Sequence, residues 1–198
     1  GNNNTVANGV NNAAILSGSS ANAIRTGEVI IGGSKDDGLP TTTTGTSKFR
    51  TQTTTFHMTA STSIGDGFIY PTLSGKDGTF GIPIHTNSLG FLNGTIVASS
   101  EGSGERYMRK FRCSVAKNSS NVSNVADITF NTPIVDNIGN IAMNVVDGTQ
   151  ANTDTSSSLY DTGEVYLAIA QNIIGGATKN VAWSISIQLV EQIHDLNT

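Results

Sequence analysis

Cysteine is nearly missing from this chain. Cys113 stands alone among 198 residues, which excludes an internal disulfide and leaves no Cys-rich metal motif. Flanked by apolar residues, it reads as a small buried hydrophobe. Histidine is scarce as well. His57, His85 and His194 come without a Gly-x-Ser-x-Gly elbow, a catalytic-cysteine signature, a His-x-His pair, a His-Glu-x-x-His motif or an EF-hand loop. Neither nucleophilic catalysis nor a metal or other cofactor is expected. Charge is sparse: 11 Lys and Arg face 15 Asp and Glu, and the net −4 gives no pull towards nucleic acid or an anionic membrane. No apolar run approaches the roughly 18–20 residues that cross a bilayer, so no membrane insertion is expected. No charged-then-apolar leader opens the chain, and Gly1 in first place suits either an expression remnant or a piece of something longer.

Glycine, by contrast, is plentiful at 22 residues, and three of them, Gly9, Gly18 and Gly27, fall nine residues apart. The positions between keep phase: Val6, Ile15 and Ile24 form one column, and Thr5, Ala14 and Ala23 another. One apolar residue per short unit with a closing glycine is the pattern of a narrow β-roll or solenoid. Such a unit is too small to bury its own Val or Ile. The column Val6, Ile15, Ile24 is expected to line the repeat core or a seam between copies of the chain, which points to a multi-chain fibre.

Residues 1–33 hold these repeats, 34–47 have the composition of a linker, and 48–198 read as strands separated by turns. Strands are expected at 49–61, 67–73, 89–99, 106–117, 125–131, 141–146, 164–171 and 180–191. The last is the clearest, with Val181, Trp183, Ile185, Ile187 and Leu189 alternating with small polar residues. No window carries a helical apolar period. The expected fold is all-β: short N-terminal β-roll repeats, then an antiparallel β-sandwich of jelly-roll type. Trp183, Ile185, Ile187, Phe111 and Val97 are the expected sandwich core. The cations Arg106, Arg109, Lys110 and Arg112 read as the solvated face of a strand, with Tyr107, Met108, Phe111 and Cys113 opposite.

Candidate ligand contacts come from the longest polar insert, 147–162, taken as a loop. Asp154 and Tyr160 inside it pair an acid with an aromatic, a combination that suits sugars. Glycoside hydrolysis needs two carboxylates about 5–9.5 Å apart, and Asp161 and Glu164, close in sequence, could flank a loop mouth.

Two stretches are similar to known families. The segment Asn2-Asn3-Asn4-Thr5-Val6 … Gly9-Val10-Asn11-Asn12-Ala13-Ala14-Ile15 … Val29-Ile30-Ile31-Gly32-Gly33 resembles the head repeats of YadA-like trimeric adhesins, which also recur in phage tail fibres. Arg50-Thr51-Gln52-Thr53-Thr54-Thr55, Phe91-Leu92-Asn93-Gly94-Thr95-Ile96-Val97-Ala98, the 107–115 strand and Val181-Ala182-Trp183-Ser184-Ile185 resemble, in that order, a β-rich module near the tip of viral fibre proteins. The 147–160 insert is longer than that module would have it. The resemblance implies a virion-borne homotrimer that attaches to a host-surface glycan or receptor and joins other tail or fibre proteins. An ion on the trimer axis, held by His57 or His85 of each copy, stays open. A purely structural fibre or capsid-decoration trimerisation module is the second reading, and a polysaccharide depolymerase the third.

Overall fold

The computed structural model describes residues 4–10, 13–17, 22–23, 28–36, 48–63, 67–73, 81–102, 104–136, 138, 141–171 and 180–195. The chain opens with β1 (Thr5–Val6), β2 (Ala14–Ser17), β3 (Asn22–Ala23) and β4 (Val29–Asp36). Consecutive strands here alternate between two ladders: β1 pairs β3 in parallel, Val6 opposite Ala23, while β2 pairs β4 in parallel, Ile15 opposite Ile30. Ala23 and Ile30 are buried together, with Ala13 and Ile15 half-buried against them. Val6 lies on the outside, 52% exposed. Ile24 falls outside the described residues. The linker expected to open at Ser34 begins inside a strand instead, because β4 continues to Asp36.

The rest follows as β5 (Lys48–Thr62), β6 (Ile82–Pro83), β7 (Ser88–Ser100), β8 (Arg106–Lys117), β9 (Val122–Phe130), β10 (Val135–Asp136), β11 (Ile141–Asp147), α1 (Gly148–Thr155), β12 (Glu164–Gln171) and β13 (Val181–Asp195). One eight-stranded sheet runs β10-β8-β7-β13-β5-β4-β2, with β9 also on β8; all its pairs are antiparallel except β2–β4. A three-stranded antiparallel sheet, β11-β12-β6, lies against it. The expected strand at 67–73 makes only two isolated bridges, Ile69 to Ile169 and Thr72 to Thr59.

Period-two alternation sets the large sheet's inner face. The last strand is its spine: Leu189, Ile187, Ile185 and Trp183 stand opposite Thr54, Phe56, Met58 and Ala60 on one side, and opposite Leu92, Gly94, Ile96 and Ala98 on the other. Val145, Val165, Leu167 and Ile169 of the small sheet complete one continuous core with them. Every residue of β12 is buried, as its run Glu-Val-Tyr-Leu-Ala-Ile-Ala-Gln suggests for a strand covered on both faces. Gly94 is required where it stands. A Cβ there would fall on the ring of Phe111, which lies across it from the neighbouring strand. Trp183, Ile185, Ile187 and Phe111 are buried as expected, and burial pushes the Cys113 thiol up to about 12.

Val97 is not in the core. It is 41% exposed, and its neighbour Ile96 takes the inner position, because Ile96 is paired with Ile185 and Val97 with Ser184. The same parity corrects the reading of β8. Arg106, Met108, Lys110 and Arg112 share the outer row, while Arg109 joins Tyr107, Phe111 and Cys113. There its guanidinium donates to Asn131 O at 2.7 Å and lies over the Phe130 ring, 5.1 Å from the centroid.

Candidate functional site

The expected loop at 147–162 begins with a helix. Asp147 starts it: its Oδ1 accepts the Gln150 backbone N–H at 2.8 Å, an N-cap that satisfies one of the free amides of the first turn. Gly148 has no room for a side chain, since a Cβ would meet Asp161 O. Ala151 is buried against Val146 and Ala168, and Ser156, in the left-handed region at φ 51°, ends the helix. The insert is therefore a closed unit. Asn152 clamps it, accepting from Tyr160 N at 2.9 Å and donating to Tyr160 O at 2.8 Å.

That clamp turns the Tyr160 ring inward. It meets Tyr70 at 5.0 Å and Tyr166 at 5.1 Å between centroids, and Tyr70 meets Tyr166 edge-on at 6.2 Å. Asp154 belongs to the same cluster: Tyr70 Oη donates to its Oδ2 at 3.0 Å and Gln150 Nε2 to its Oδ1 at 2.6 Å. Burial raises all three tyrosine pKa values, and the acceptor carboxylates Asp154 and Glu164 push Tyr70 and Tyr166 further up. The structure thus brings Asp154 and Tyr160 together, and it engages both with other parts of the chain. Sequence reasoning missed Tyr70 and Tyr166, which lie far apart in the chain and carry no local signal.

The carboxylate pair fares similarly. Glu164 is buried, and its Oε2 accepts from both Gly81 N and Tyr166 Oη at 2.7 Å. Burial raises its pKa, opposed by those two hydrogen bonds. Asp161 is exposed and turns its Oδ1 back to the Gly163 N–H at 2.7 Å. This is the geometry of a strand entry held in place. His85 is also structural: buried, its Nδ1 is 2.8 Å from Glu191 Oε2, and its backbone N–H donates to Glu191 Oε1. His57 is exposed on the outer face of β5. Among the described residues no group of three His, Cys, Asp or Glu is placed to hold a metal.

Compared with protein-family models, with curated proteins and with solved structures, the chain matches none. Its own surface is left to indicate the site. Among the described residues the large sheet carries two hollows lined by polar side chains, one at the ends of β5, β7 and β13 and one on its outer face. One, of about 510 Å³, is walled by Ser61, Ser63, Ser99, Glu101 and Asn180, with Asn180 donating to Glu101 Oε2 at 2.9 Å. The other, of about 590 Å³, is lined by Asn93, Thr95, Lys110, Arg112, Asn131, Ser186 and Gln188 among others. Shallow hollows of amides, hydroxyls and cations suit a hydroxyl-rich ligand held at the surface.

Proposed function

We propose that this chain is a fibre-tip or adhesin protein of a virion, assembled as a homotrimer through N-terminal β-roll repeats and attaching to a host surface by glycan binding. The observation that carries the reading is the uncovered apolar side chains of the N-terminal strands. Val6 is 52%, Leu16 67% and Ile31 50% exposed in a single copy. Apolar groups repeated at this density on one short segment favour association with further copies of the chain. The parallel pairing of alternate short strands supports the β-roll, and the polar hollows on the sheet support a sugar ligand. Weak sites on three copies would act together to give firm attachment.

Light scattering at micromolar concentration is expected to give three times the chain mass, and labelled protein is expected to adhere to host cells and lose adherence when surface glycans are stripped. A stable monomer that ignores cells would overturn the reading. The second reading, a structural fibre or capsid-decoration module, is favoured by the internal engagement of Asp154 and Tyr160. A trimer without cell or glycan binding would select it.

A further inference from the structure

The hollow around Lys110 and Arg112 has an order that its sequence positions conceal. Two rows cross the outer face, each fixed by strand register. Arg112, Asn93, Gln188 and Thr55 stand side by side on β8, β7, β13 and β5, and Lys110, Thr95, Ser186 and His57 form the next row. With strands about 4.8 Å apart, the rows span about 14 Å, and they lie about 7 Å from each other. The dimensions are those of a short oligosaccharide lying flat.

The two cations are not neutralised. Among the described residues neither Lys110 nor Arg112 makes an ion pair or a side-chain hydrogen bond, although the chain as a whole is acidic at −4. Asp127 on the adjacent strand β9 accepts from Ser114 Oγ at 3.0 Å. The amides of Asn93 and Gln188 and the hydroxyls of Thr95 and Ser186 are likewise not engaged by other side chains. One row beyond Asn93, the Phe91 ring is 39% exposed beside Val190, an apolar ledge next to the polar field.

We propose that this hollow binds an acidic saccharide, a glycan unit bearing a carboxylate or a sulfate ester. The assignment rests on the attachment reading and names its ligand class. The Arg112 guanidinium offers the planar fork that matches a carboxylate or sulfate in two parallel hydrogen bonds, and the Lys110 ammonium adds a second positive point charge. The amide and hydroxyl row takes the sugar hydroxyls, and the Phe91 ledge takes a C–H face of the ring. A polyanion such as nucleic acid is disfavoured by the net charge, which repels it at long range, and because Phe91 is the one exposed ring beside the hollow among the described residues, where stacking needs a series. A ligand with one or two charges and many hydroxyls avoids both objections.

The test uses the full chain, immobilised probes and four arms: a glucuronate-containing tetrasaccharide, the same compound with its carboxyls reduced to alcohols, a sulfated neutral tetrasaccharide, and a thymidine oligonucleotide. The glucuronate compound, the sulfated one or both should bind, and the carboxyl-reduced compound should bind at least tenfold more weakly than its parent if the carboxylate is the recognised group. K110Q/R112Q should lower binding of the acidic compound at least tenfold, and N93A or Q188A severalfold. The unfolding midpoint of K110Q/R112Q should match the parent's, because both side chains are exposed. Undiminished binding by K110Q/R112Q overturns the proposal while leaving attachment in place, as does preference for the reduced compound over both acidic ones. Equal or tighter binding of the oligonucleotide overturns it in favour of nucleic acid. Silence on all saccharides also overturns it, and adherence of the same protein to intact cells then tells whether the attachment reading falls too.

Discussion

The central sheet and the N-terminal strands are built from the same kinds of residue, yet one covers its apolar side chains and the other does not. In β13 the inner residues from Val181 to Leu189 are all buried, each flanked by inner-facing residues on the two adjacent strands. In β1 to β4 the fully buried apolar residues are Ala23 and Ile30, while Val6, Leu16 and Ile31 face outward. The difference is one of neighbours. A long strand between two long strands has its inner row roofed by a second sheet. A two- or four-residue strand at an edge has no such roof. Coverage, more than residue type, decides whether an Ile stabilises one copy or is left for a second.

The sharpest way to break the comparison is at Trp183, which is buried edge-on to Tyr107 at 5.9 Å and donates Nε1–H to Thr62 Oγ1. Trp183→Ala is expected to destabilise the fold by about 3–5 kcal/mol in denaturant unfolding. Gly94→Ala should cost roughly 1–3 kcal/mol, because the new methyl displaces the Phe111 ring from its place beside Phe130. A similar loss is expected where the two regions join. Glu28 is buried just ahead of β4, and its Oε1 accepts from Gln52 Nε2 at 3.2 Å and Thr54 Oγ1 at 3.1 Å, so Glu28→Ala should cost about 1–3 kcal/mol.

Glu164 tests the smaller sheet by pH. Its folded pKa is raised above the ordinary value of 4.5, mainly by burial, so its penalty is absent below that value, grows as pH climbs towards the folded one and levels off beyond it. Unfolding midpoints measured from pH 4 to 8 should fall less steeply for Glu164→Gln than for the parent. The smallest effect sharpens the comparison most. Leu16→Ser should leave single-copy stability within about 0.5 kcal/mol, since the side chain is exposed. The same change should weaken any assembly seen by light scattering. A large loss of single-copy stability would show that the N-terminal strands are covered within one chain after all.

Much of the sheet was legible in advance. The limits of β8 and β12 coincide with those expected, and strict alternation marked the inner face of β13. Where two apolar residues adjoin, alternation is silent, so it does not separate Val97 from Ile96. Helix α1 was illegible because Gly-Thr-Gln-Ala-Asn-Thr-Asp-Thr carries no apolar stripe; a cap, a clamp and one buried alanine hold it. The acid and aromatic of the candidate ligand loop were found, but their orientation was not. Tyr70 and Tyr166, remote in sequence, draw Tyr160 inward.

The sequence by itself determined a mostly β chain with sparse charge and a strongly alternating closing strand, because strand period and turn chemistry are local properties. Only the tertiary structure decided which strands are neighbours, that Lys110 and Arg112 share a hollow with Asn93 and Gln188, and that Tyr160 turns inward. Those outcomes depend on register between segments far apart in the chain, and register is fixed by what each side chain meets across the sheet.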